Sequence, residues 1–148
     1  MNFKNIFKIF NRKITQYVIF DGDQTSSKVI QKIYIQNKNI KYDWVGVVSI
    51  PKVVKDKINT IQPTNYGKEA TDNQIAISIT DNLHKNKRIN SVSIISNDGD
   101  FVDVILSLAK LFPNVKFYLV SFQDTRTQGK KKCLNNLHKN CFSARIVL

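Results

Sequence analysis

Cysteine and histidine are scarce in this chain, with two of each among 148 residues. Cys133 and Cys141 flank His138, and His84 is the remaining soft donor, so a structural zinc set would need all four. The plainer reading is two ordinary thiols in a reducing compartment, with no disulfide framework. No apolar run approaches the ~20 residues that cross a bilayer, no cleavable signal peptide is visible, and no solenoid-type repeat appears. These absences point to one cytoplasmic domain with room for a hydrophobic core. Acids are also few: 11 against 23 lysines and arginines, for a formal charge of +12. Such an excess favours a polyanionic partner, with nucleic acid first and an anionic membrane surface second.

What the chain does hold is an uneven placement of those few acids. Val92, Ile94 and Ile95 form a β-branched run that ends in Ser96-Asn97-Asp98-Gly99-Asp100. A second apolar run with helical spacing follows (Phe101, Val104, Ile105, Leu108, Ala109). This predicts a buried strand, a tight turn carrying two acids, then a helix. Upstream, Tyr17-Val18-Ile19-Phe20 runs into Asp21-Gly22-Asp23 in the same way. In an open parallel α/β sheet, ligands bind beyond the carboxyl ends of the strands. Helix capping is the competing explanation for Asp at such places, but it accounts for one acid per turn and not two.

The rest of the chain alternates in kind. Residues 1–14 put Phe3, Ile6, Phe7, Phe10 and Ile14 on one helical face with Lys4, Lys8, Arg12 and Lys13 around it. That predicts a basic amphipathic N-terminal helix or arm, ahead of a domain over 15–148. Packing on its own domain or a partner is favoured over a membrane-surface or targeting role. Strands are predicted over 16–20, 42–49, 91–95, 115–121 and 144–148. Helices are predicted from Thr25 or Ser26 to 36, over 69–85, after Asp100, and briefly over 134–138. Pro51, Pro63 and Gly67 break up residues 50–67, where 52–60 reads as a short basic helix. Strands alternating with helices give an α/β layer sandwich with a mainly parallel sheet.

Asp72 sits at the start of the buried stripe formed by Ile75, Ala76, Ile79 and Leu83, where an acid must cap, pair or bind a cation. The fold would bring it to the edge that holds Asp21, Asp23, Asp98 and Asp100. Crowded carboxylates repel, and a divalent cation relieves the conflict. Oxygen donors without His or Cys point to Mg2+ or Mn2+. Ser96 would orient an acid or a water, or simply bond the turn backbone.

Three segments resemble the NYN branch of the PIN-like ribonuclease superfamily, in order and spacing. They are the strand ending in Asp21-Gly22-Asp23-Gln24, the helix start Lys68-Glu69-Ala70-Thr71-Asp72, and Ser96-Asn97-Asp98-Gly99-Asp100-Phe101. The resemblance implies a three-layer α/β/α sandwich and metal-dependent endonucleolytic cleavage of RNA. Carried over, Asp21, Asp72, Asp98 and Asp100 become the catalytic, metal-binding acids, with Asp23 and Ser96 supporting. Gln24 stands where the family often has Asn, and Lys68 precedes Asp72 by four residues, one more than the family pattern. Some relatives are non-catalytic binding modules on the same fold.

Asp21-Gly22-Asp23-Gln24-Thr25 also satisfies D-x-D-x-T, the first motif of haloacid-dehalogenase-like phosphatases, with Asp21 as nucleophile and Asp23 as general acid. Ile94-Ile95-Ser96-Asn97 imitates the second motif, and Lys110 or Lys116 would supply the lysine. That chemistry then needs a later acid pair, and beyond Ser121 the sole acid is Asp124. The nuclease expectation is therefore preferred. RNA, single-stranded or with flexible regions, would meet Lys68, Arg126, Lys130, Lys131 and Lys132. Lys85, Lys87 and Arg88 form a further basic cluster, Phe122 or Tyr66 would stack on bases, and a homodimer is left open.

Overall fold

Runs rich in β-branched and aromatic residues become the strands of the computed structural model, which describes residues 14–47, 52, 56–64, 67, 69–123, 134 and 138–148. Six strands form one sheet: β1 (Gln16–Asp21), β2 (Ile40–Val45), β3 (Asn59–Ile61), β4 (Ser91–Ile95), β5 (Lys116–Ser121) and β6 (Cys141–Arg145). Every pairing is parallel, in the order β3-β2-β1-β4-β5-β6. Among the described residues, three helices pack on it: α1 (Ser27–Ile33), α2 (Ala70–Lys85) and α3 (Phe101–Leu111).

Side chains alternate across a strand, and that period sorts the core into two layers. Tyr17 and Ile19 of β1 join Val92 and Ile94 of β4, and pack against Ile75, Ile79 and Leu83 of α2 and Ile105 and Leu108 of α3. Val18 and Phe20 face the other way, onto Val29 and Ile30 of α1, with Tyr42 and Trp44. The sheet thus lies between α2 and α3 on one side and α1 on the other, the predicted three-layer sandwich. β1 is buried over all but its first residue, as a strand covered on both faces must be.

The strand order matters more than the count. The chain runs outward from β1 through β2 to β3, then returns to place β4 on the other side of β1. This reversal is a topological switch point, where the loops after β1 and β4 diverge and leave a crevice beyond their carboxyl ends. Both D-G-D turns open onto it.

Several boundaries differ from the sequence expectation. α1 stops at Ile33, short of 36, because Tyr34 turns in against Tyr42 (ring centroids 4.9 Å apart) and the Ile35 amide donates to the Tyr42 hydroxyl at 3.2 Å. β2 starts two residues earlier than predicted and ends at Val45, and residues 48 and 49 lie outside the described residues. Within 52–60, predicted helical, Asn59 and Thr60 instead pair with Asp43 and Trp44 in β3. Three residues are too few to show a period of two. The last strand lies at Cys141–Arg145, not 144–148, because fully buried Cys141 pairs with Phe117 while Val147 and Leu148 are exposed. Leu134 is buried, and the rest of the predicted helix over 134–138, save His138, lies outside the described residues, as does the arm before Ile14.

Candidate active site

Asp21 ends β1, continuing the face of Tyr17 and Ile19, and is only 2% exposed. Its backbone carbonyl closes the turn, accepting the Gln24 and Thr25 amides at 3.2 and 2.9 Å and the Thr25 hydroxyl at 2.6 Å. Gly22 is required here: a Cβ would come within 2.3 Å of the Trp44 ring packed beneath it. The Asp21 carboxylate faces Ser96, the residue after β4, whose hydroxyl donates to Oδ2 at 2.7 Å. Ser96 Oγ also accepts the Asp98 amide at 3.0 Å, and Asp98 Oδ1 accepts the Asp100 amide at 2.9 Å. Ser96 is wholly buried, so this relay is shielded from water along its first half. It joins 75 residues of sequence separation through one hydroxyl.

Capping does not explain these acids. Asp100 occupies the N-cap position of α3 with no side-chain cap hydrogen bond, and Asp98 spends an oxygen on the turn instead. The electrostatics show which acids meet. Burial pushes Asp21 up to about 6, with Asp23 and Asp98 raising it further against the opposing Ser96 bond. Asp72, in the first turn of α2, is also pushed up to about 6, by burial and then by Asp98, Asp21, Asp100 and Glu69. Acids from three separate segments therefore lie within one another's field at the switch point. Among the described residues, however, no three His, Cys, Asp or Glu side chains lie close enough together to hold a metal ion. The donors are hard carboxylate oxygens, suited in kind to Mg2+ or Mn2+, and they are gathered without being closed into a ligand set.

Three polar residues build the crevice in ways sequence reasoning did not foresee. Gln24, the departure from the family pattern, accepts the Asn97 amide on Oε1 at 3.1 Å and so ties the two D-G-D loops together. Asn97 Oδ1 accepts the Phe122 and Gln123 amides at 2.8 and 3.1 Å, fixing the exit from β5. Thr71 donates to Asp23 Oδ2 at 2.5 Å, while Asp23 Oδ1 accepts the Val47 amide at 2.9 Å. Nothing in the sequence links positions 23 and 71. Away from the crevice, Asp43 is wholly buried on β2, accepting from Tyr17 Oη and from Asn59 Nδ2 at 3.0 Å, with Lys41 Nζ 3.7 Å away. Its place between Tyr42 and Trp44, inside an aromatic stretch of the strand, was the available signal.

The basic and aromatic expectations are revised. Lys85 ends α2, and Lys87 and Arg88 follow it, at the far end from Asp72 of a helix of 16 residues that is about 24 Å long; Lys85 pairs with Asp81 at 2.8 Å. Phe122 is buried in the α1-side core and offers no face to a base. Lys68, Arg126, Lys130, Lys131, Lys132 and Tyr66 lie outside the described residues. Cys141 is buried in the core, its thiol pushed up by burial, and Cys133 is outside the described residues. A shallow groove of about 440 Å³ on α2, lined by Ala76, Ile77, Thr80, Asp81 and His84, contains none of the crevice acids.

The family model for the NYN domain matches residues 1–138. The chain belongs to the NYN domain family. Membership supports a nuclease-type activity of the hydrolase class. The fold is also that of a protein of unknown function from Vibrio parahaemolyticus, 11% identical, at a TM-score of 0.55 over 90% of this chain and 94% of that one. A pilus assembly-related protein from Burkholderia pseudomallei, also 11% identical, aligns at 0.41 over 90% of this chain and 79% of that one. No curated protein sequence matches. Among the described residues, no helix of this NYN domain is long and apolar enough to cross a membrane.

Proposed function

We propose that this NYN domain is a divalent-metal-dependent endoribonuclease, acting in the cytoplasm on RNA that is single-stranded or has flexible regions. The observation that carries the reading is the gathering of Asp21, Asp72 and Asp98 at the switch point: burial first, and then the neighbouring acids, raise both Asp21 and Asp72 to about 6, with Asp98 acting on each and Asp100 on Asp72. Acids perturbed by burial and by one another in a crevice make a functional-site candidate. These four would hold Mg2+ or Mn2+, with Asp23 and Ser96 in support. A bound dication would activate water and stabilise charge on the phosphodiester. The chain's own part is to keep the carboxylates facing one another: Ser96 orients Asp21 and the Asp98 backbone, and Gln24 holds the loops together. Lys68, Arg126, Lys130, Lys131 and Lys132 would contact phosphates, with residues 1–14 as a basic arm ahead of the domain over 15–148. The +12 charge supports such a partner.

The test is Asp98→Asn. The amide oxygen can still accept the Asp100 N–H, so the turn survives while a charge is lost. Cleavage of a single-stranded RNA in Mg2+ or Mn2+ should fall by at least about 100-fold, the scale of one lost electrostatic group, with RNA affinity in chelator unchanged. Equal cleavage by the variant removes the reading. A second reading has its own support, since no three crevice carboxylates among the described residues lie close enough to hold an ion. On that reading the domain binds RNA without cutting it, and the wild type would bind but show no metal-dependent products.

A further inference from the structure

We propose that Asp23 and Thr71 are positioning residues, a brace that fixes the first turn of α2, and with it Asp72, against the Asp21 turn. The inference rests on the nuclease reading only for its effect on cleavage. Three chain segments converge on the Asp23 carboxylate. The D-G-D turn supplies it, the Val47 amide just after β2 donates to one oxygen at 2.9 Å, and Thr71 Oγ1 donates to the other at 2.5 Å. Both oxygens are thus engaged within the protein, one by each of two other segments.

Two further features fit a brace. α2 has Glu69 at its N-cap position and makes no side-chain cap hydrogen bond there. The Asp23 carboxylate brings an acceptor from another element to that first turn, and a negative charge at a helix N-terminus is favourable. Gly46 admits the carboxylate, since a Cβ at that position would lie 2.8 Å from Asp23 Oδ1. Thr71 itself is buried, so its hydroxyl exchanges Asp23 for no water if the bond is lost. Because Thr71 precedes Asp72 directly, fixing its side chain fixes the backbone from which Asp72 projects. A misplacement of about 1 Å at a reacting centre can cost ~100-fold in rate.

The experiment compares Thr71→Val, which keeps shape and removes the donor, with Thr71→Ser, which keeps the donor. Amide hydrogen exchange over residues 70–73 should accelerate by ~10-fold in T71V, the scale of one hydrogen bond, and stay at the wild-type rate in T71S. In Mg2+, kcat on a single-stranded RNA should fall ~10–100-fold in T71V with KM held, and T71S should remain within about twofold of the wild type. Gly46→Ala, which presses on the other Asp23 oxygen, should accelerate the same amides. Unchanged exchange in T71V, or equal loss of kcat in T71V and T71S, overturns the brace. A wild type that cleaves nothing in any divalent cation would end the nuclease reading instead, and the exchange result alone would then decide the brace.

Discussion

Replacing Asp21 with Asn should stabilise this protein at neutral pH while ending its proposed function. Asp21 is almost fully buried and its carboxyl is raised from an ordinary 3.8 to about 6. Below pH ~3.8 the group is protonated folded and unfolded, and contributes nothing. Between ~3.8 and ~6 the folded protein holds a proton that the unfolded chain releases, so stability falls as pH rises. Above ~6 the loss is complete, at about 3 kcal/mol for a rate of about 1.36 kcal/mol per pH unit. An amide carries no such charge and can still accept the Ser96 hydroxyl, at about 1 kcal/mol less than a carboxylate would. The net gain at pH 8 is about 2 kcal/mol, or about 4–8 °C in Tm for a chain of this size. The assay is thermal unfolding of wild type and D21N from pH 3.5 to 8 in chelator, then at pH 8 with Mn2+. The advantage of D21N should vanish near pH 3.5. It should be cancelled or reversed in Mn2+, where a ligand at 100 times its Kd returns about 2.7 kcal/mol to the wild type. A D21N protein no more stable than wild type at pH 8, or an advantage equally large at pH 3.5, would refute the claim that buried charge sets this energy.

Two other changes follow from the same turn. Gly22→Ala forces a Cβ to within 2.3 Å of the Trp44 ring, and should cost about 1–3 kcal/mol or more by chemical denaturation; a cost within error would show that Trp44 moves freely. Ser96→Ala strips the donor that favours ionised Asp21 and leaves the Asp98 amide without its acceptor. Stability should fall by about 1–3 kcal/mol, and the rising limb of the pH–rate profile, set by an acid that must ionise, should move to higher pH. An unmoved limb would mean that Asp21 does not control it.

Chain order alone made much of this readable. β1, β4 and the helices α2 and α3 announce themselves through period and composition, because the apolar faces they bury must recur every second residue or every third and fourth. The D-G-D turns are local for the same reason: strand, turn and helix follow within a few residues, so acids at a strand end are visible as such. Residue order therefore carries the inventory, a set of acids placed where strands stop. Tertiary structure alone decided their company. The order β3-β2-β1-β4-β5-β6 sets β1 beside β4 across 75 residues, so that Ser96 reaches Asp21, and it brings Thr71 to Asp23 across 48. The same pairing made three residues at Asn59–Ile61 a strand and hid Asp43 beside Tyr17. Pairings of that range leave no periodic trace, since each depends on which faces pack together and not on the residues that adjoin it in the chain.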